Sequence, residues 1–221
     1  MSRILLVRHG QASWGADDYD QLSTMGESQA RTLGTALAAQ DITPDVLFSG
    51  AMKRHQQTAV GACEGADWDL DVETDEGWNE FDHLQVLSRH PAPEGVDLTA
   101  DRSAFQRWFS DATLRWTGGE HDDYDEPFAD FCERVSAAFE RTMAALGSGG
   151  TAVVFTSGGP VSWAAAASLS SQGNGAADLW LRLNQVTINA GVTSFVVGSR
   201  GATLLAFNEH THLSPAHQTY R

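Results

Sequence analysis

Cysteine is nearly absent. Cys63 and Cys132 are the two in 221 residues, with no CxxC pair and no zinc-type spacing. That argues against a disulfide framework and against a structural metal. Long apolar runs are lacking too. No stretch approaches the ~20 residues that a membrane helix needs. The N-terminal apolar run stops at Arg8, with no small-residue cleavage site. A cytoplasmic location is expected. Positive charge is scarce: 14 Lys and Arg stand against 29 Asp and Glu, a formal net charge of −15. Such a field disfavours nucleic acid and anionic membranes as partners. It also repels anionic ligands. An anion site here must be built locally, from Arg, His and backbone N–H groups.

What is present is a regular alternation of strand and helix signals. Ile4 to Val7 is a short apolar run, β-branched at both ends, as suits a strand buried on both faces. Arg8, His9 and Gly10 follow it. Residues 11–21 read as a polar loop with Asp17, Asp18 and Asp20, ending at Gln21. Ser23 or Thr24 is a candidate N-cap for a helix extending to about residue 40, with Ala30, Leu33, Leu37 and Ala38 at helical spacing. Val46 to Phe48 predicts a second strand, 52–63 a helix and 70–73 a strand. Residues 84–125 carry Pro91, Pro93, Gly118, Gly119, Trp108 and Trp116. They read as an irregular, mostly helical, cap-like insertion whose tryptophans either pack a core or wall a pocket. Pro127 marks a helix start, with an apolar stripe from Phe128 to Leu146. Thr151 to Phe155 predicts a central strand, 161–169 a buried Ala-rich helix, and 192–197 and 203–207 two late strands. The expected fold is one α/β domain over 1–221: a three-layer sandwich with a mostly parallel sheet, helices on both faces and the helical insertion.

Three predicted strands end in polar residues suited to one rim. The first ends in Arg8 and His9. The second ends at Ser49, with Arg54 in the first turn of the next helix. The central strand ends in Ser157, Gly158 and Gly159, ahead of a helix starting at Pro160. A helix N-terminus behind glycines is a prepared anion site. If these strands are neighbours, two guanidinium forks, an imidazole and that nest converge at the carboxyl ends of the strands, where open α/β sheets bind ligands.

The chain here resembles the histidine phosphatase superfamily, also called phosphoglycerate mutase-like. Val7-Arg8-His9-Gly10-Gln11 looks like its opening motif. Leu22 to Gly26 with Gln29-Ala30 looks like its Leu-Thr-x-x-Gly-x-x-Gln-Ala segment. Ser49 through Arg54 with Gln57-Thr58-Ala59 resembles its second motif, with one more residue than usual between Ser and Arg. Asn79-Glu80-Phe81 looks like the site of its acidic residue, and Asn208 to Leu213 like its C-terminal Asn-x-x-x-His-Leu. The resemblance implies a phosphatase hydrolysing a small phosphomonoester without metal or cofactor. His9 would be the nucleophile, passing through a phosphohistidine, and the Gly10 backbone is a candidate partner for its other ring nitrogen. Glu80 would be the acid–base. Arg8, Arg54, Ser157 and Gly158 would hold the phosphoryl group of the substrate or of inorganic phosphate. Gln21 is a further candidate.

One departure stands out. The family usually carries a second His after the central strand; Ser157 occupies that position. Losing such a donor costs roughly 2–4 kcal/mol in a transition state. His83, three residues after Glu80, is the first candidate to replace it; the alternative is that His83 packs or faces solvent. The departure keeps two other readings open: phosphoglycerate mutase-type transfer, and a weakly active or non-catalytic binder of phosphorylated ligands.

Overall fold

The computed structural model describes residues 1–13, 18–97, 101–170 and 175–220; Asp17, expected in the loop after the first strand, lies outside them. β1 (Ser2–Arg8) buries every residue from Ile4 to Val7. A run with no polar alternation requires a strand covered on both faces, and the sheet order explains it. β1 sits between β4 (Thr151–Thr156) and β5 (Val192–Gly198). β2 (Val46–Ser49), β3 (Val72–Thr74) and β6 (Gly201–Glu209) complete six strands in the order β3-β2-β4-β1-β5-β6. The four strands from β3 to β1 run parallel, while β5 is antiparallel to β1, and β6 to β5. The sheet is therefore mixed, with an antiparallel edge on a parallel body.

The helices that follow the early strands are α1 (Thr24–Ala39) and α2 (Lys53–Ala66). Ser23 caps α1, its hydroxyl accepting from Gly26 N. Leu33 and Leu37 of α1 and Ala59 and Ala62 of α2 join Leu5, Val7, Leu47, Val153 and Phe155 in one buried cluster. Ile4 and its cross-strand partner Phe195 point to the opposite face. There the second half of α5 (Phe128–Ala144) covers the sheet, Phe139 packing edge-on against Phe195 at 5.0 Å. Helices thus cover both faces. α6 (Gly158–Leu169) is buried along most of its length, as its alanines require, and α7 (Ala176–Asn184), for which the sequence offered no clear signal, anchors on it through Trp180 Nε1, which donates to Gly159 O at 2.9 Å.

The chain divides into two compact units: Met1–Glu80 with Val135–Arg221, and Phe81–Arg134. The insertion expected at 84–125 falls within the second. That unit contains α3 (His83–Ser88), α4 (Arg102–Thr117) and the first turns of α5. Its centre is aromatic: Trp116 stacks on Phe81 at 4.7 Å and meets Phe128 and Phe131 at 4.9 and 5.5 Å. Trp116 is therefore core, as one of the two sequence readings held. Among the described residues, no helix is long and apolar enough to cross a membrane.

Candidate active site

β2, β4 and β1 are consecutive, so their carboxyl ends share one rim. The ladder continues past the strands: His9 N donates to Thr156 O at 2.8 Å and Gly50 N to Phe155 O at 3.0 Å. The rim brings His9, Ser49, Ser157 and the start of α2 together, as the sequence expectation required. The turn at Gly10 is possible only without a side chain, because a Cβ there would lie 2.4 Å from Gly26 O. Thr58 fixes the same turn by accepting from Gly10 N at 3.0 Å.

His9 is 5 % exposed. Its Nδ1 lies 2.7 Å from Gly10 O. A carbonyl only accepts, so Nδ1 carries the proton and Nε2 keeps its lone pair. Burial first, then Arg54, Arg8 and His55, push the imidazole well below its ordinary pKa, which keeps it neutral at pH 7. Its carbonyl accepts from Asn189 Nδ2 at 3.1 Å and from Ala190 N at 3.2 Å. Ala190 holds φ 57°, a left-handed conformation that costs a non-glycine residue of order 1 kcal/mol.

Arg54 is the second residue of α2 and is 5 % exposed. Nη1 pairs with Asp20 Oδ1 at 2.7 Å, and the other oxygen of Asp20 accepts from Lys53 N at 2.9 Å. Asp20 thus sits at the N-terminus of α2, where a carboxylate is favoured. Arg54 Nε is buried without a partner among the described residues. Arg8 spends its fork on main-chain carbonyls: Nη1 donates to Thr187 O, and both Nη1 and Nη2 reach Tyr220 O at 3.4 Å. Its Nε is also unpartnered among the described residues. Burial pulls the Arg8 pKa down to about 10, against the opposing pull of Glu80, so it stays cationic at neutral pH.

Glu80 reaches the N-terminus of α6, its Oε2 accepting from Gly159 N at 3.1 Å. A carboxylate thus occupies the anion nest expected there. Ser157 is the N-cap residue of α6, yet its side chain makes no capping bond. Its Oγ instead lies 2.6 Å from His55 Nε2, and both residues are fully buried. The His55 ring centroid is 5.7 Å from that of His9.

His55 escaped the sequence analysis. The first candidate for an imidazole near Ser157 was His83, which stands at the first position of α3; the imidazole bonded to Ser157 is His55. The signal was one residue past Arg54, where α2 turns its first turn toward β4. Asp20 was also passed over in favour of Gln21. Gln21 is exposed and uses its amide on Asp18 Oδ2 at 2.9 Å. His210 and His212 bond main-chain carbonyls, of Asn208 and Ala190.

Residues 4–210 match the family model of the histidine phosphatase superfamily, branch 1. A 2-carboxy-D-arabinitol-1-phosphatase of Triticum aestivum is 28% identical over 148 residues, 64% of this chain and 28% of its own. Phosphoglycerate mutase 1 of Saccharomyces cerevisiae is 36% identical over 73 residues, 30% of each chain. The match spans less than a third of the length of these relatives. Among solved structures, a phosphoserine phosphatase mutant from Entamoeba histolytica in complex with phosphoserine aligns with TM-score 0.66 at 18% identity, covering 97% of this chain and all of the other. A mycobacterial glucosyl-3-phosphoglycerate phosphatase complexed with VO3 aligns with TM-score 0.64 at 20% identity, covering 94% of this chain and 99% of the other.

Proposed function

We propose that this chain, which belongs to the histidine phosphatase superfamily, hydrolyses a small phosphomonoester through a phosphohistidine on His9. The observation that carries the reading is the tautomer of His9. Gly10 O holds the Nδ1 proton, and burial keeps the ring neutral, so Nε2 offers a lone pair at neutral pH. In the first step Nε2 forms a bond to phosphorus as the ester P–O bond breaks. Glu80, which takes up a proton once the phosphoryl group lies beside it, gives that proton to the leaving oxygen. In the second step water attacks phosphorus, Glu80 takes the water proton, and the P–N bond breaks to release inorganic phosphate.

Arg54 and Arg8 supply the positive charge that the acidic chain otherwise lacks. Arg54 pairs with Asp20; a phosphoryl group competes with that carboxylate and reaches the unpartnered Nε of Arg54 and Arg8. The substrate's phosphate also competes with Glu80 for the N-terminus of α6, which frees the carboxyl for the leaving group. No step calls for a metal ion. A cytoplasmic location fits the scarcity of cysteine.

The test is phosphate release from p-nitrophenyl phosphate without added metal. His9→Ala is expected to lower kcat by ~10⁴-fold or more, as deletion of a covalent nucleophile does elsewhere. No release by the native chain from a panel of phosphomonoesters, from acid to neutral pH, would overturn the reading. Label that stays on His9 and passes to a phosphoglycerate rather than to water would replace hydrolysis by mutase-type transfer.

A further inference from the structure

Resting on the phosphatase reading above, we propose that His55 is a positioning residue that acts through Ser157: its Nε2–H donates to Ser157 Oγ, and the Ser157 hydroxyl is thereby turned to donate to a phosphoryl oxygen bound against His9. Neither residue has a purely structural explanation. Ser157 stands at an N-cap position, where a serine ordinarily accepts from the amides of the first turn. It makes no such bond; the Gly159 amide goes to Glu80 instead. What fixes its hydroxyl is the 2.6 Å contact with His55.

The direction of that bond follows from the rest of the ring. His55 is fully buried, and its Nδ1 has no partner among the described residues. A neutral imidazole carries one proton. On Nδ1 that proton would make a buried N–H without an acceptor, a rare and costly condition. On Nε2 it meets Ser157 Oγ, and the unpartnered atom is only a lone pair. The ring then donates, the serine oxygen accepts, and the serine hydrogen is left for a ligand. The pocket is shaped to hold the ring here: a Cβ on Gly50 would stand 2.2 Å from His55 Nδ1, so the close approach needs glycine.

Charge accounts for the choice of a neutral pair. Burial and Arg54 both oppose a proton on His55, with His9 beside it and Arg8 on the same rim. Two guanidinium groups already face a phosphoryl dianion. A third cation in a water-poor pocket adds desolvation cost, whereas two linked neutral donors add a directed hydrogen bond whose strength grows as charge develops on the oxygen. No covalent bond changes in the pair, and both protons stay on their atoms.

A double-mutant cycle with p-nitrophenyl phosphate separates a linked pair from two independent residues. Ser157→Ala and His55→Leu are each expected to lower kcat by roughly 100-fold, the loss seen on removing one oxyanion donor, with KM changed little. The double variant is expected to be no slower than the slower single variant. Losses that multiply overturn the linkage while leaving the phosphatase reading intact. The second readout is independent of turnover. Long-range ¹H–¹⁵N spectra of the native protein are expected to show His55 protonated on Nε2, with its resonance shifting when inorganic phosphate is added and failing to shift in Ser157→Ala. A proton on Nδ1, or a phosphate titration that moves His9 and not His55, overturns the proposal. A phosphate-dependent His55 shift in a native chain without turnover would uphold the pair and overturn the phosphatase reading instead.

Discussion

The two units bury different chemistry. The sheet unit hides His9, Gln29, Arg54, His55, Thr58, Ser157 and Asn189 almost completely. Each has at least one polar partner, and Gln29 alone bonds Gln11 N, His217 O and Thr219 Oγ1, while Arg54 Nε and His55 Nδ1 have none among the described residues. Phe81–Arg134 keeps its ions outside. Arg115 pairs with Asp123 and Arg134 with Glu126 at its surface, around a centre of Phe81, Trp116, Phe128 and Phe131. Buried polar groups cost stability unless every partner is present. The sheet unit bears that cost at one rim, which marks the rim as a functional place. In the second unit the buried side chains are mostly apolar, Thr113 and the Tyr124 hydroxyl being exceptions.

The comparison can be broken by substitution. Trp116→Ala is expected to cost ~3–5 kcal/mol in denaturant unfolding, since it empties an aromatic core and orphans the Glu126 carbonyl. A loss under 1 kcal/mol would show that this core is not tightly packed. Acid should strike the sheet unit. His9 and His55 both have folded-state pKa values below the ordinary ~6.5. The unfolded chain therefore binds more protons below about pH 6.5, and stability falls as pH drops through that value. Stability should fall steadily between pH 7 and 5, and His55→Leu should shrink that fall. A pH-independent unfolding midpoint over that range would contradict it.

Smaller effects sharpen the contrast. Asp20→Asn leaves the Arg54 charge without its counter-ion, which should lower stability by ~1–2 kcal/mol. Added phosphate should recover that loss in a thermal melt and bind several-fold more tightly than to the native chain; weaker binding would show that Asp20 organises the site rather than guarding it. Arg31→Ala breaks a half-exposed pair with Glu64 between α1 and α2, and a change of only a few tenths of a kcal/mol is expected in the same melt.

Much of the sheet unit was legible because its signals are local. Ile4 to Val7 and Thr151 to Phe155 read as buried strands, Ser23 or Thr24 as a cap, of which Ser23 is the one, and the rim residues fell at strand ends where ligands bind. Strand direction was less visible. The β5–β6 pair is antiparallel and turns through Ser199 and Arg200 between Gly198 and Gly201, a two-residue connection that was itself a hairpin signal. Side-chain partners were the least legible part. His55 lies 102 residues from Ser157, and Arg8 meets carbonyls 179 and 212 residues away. Sequence proximity pointed from Glu80 to His83; the sheet order pointed from Ser157 to α2.

The bonds around Asn189 also fix when the rim can be finished. The His9 carbonyl is held by Asn189, 180 residues along the chain, whose own amide and side-chain oxygen are held by Thr219. His9 is therefore set in place by closures over long sequence separations, the kind that forms slowly in folding. On refolding, this rim should form late, after the local helix contacts.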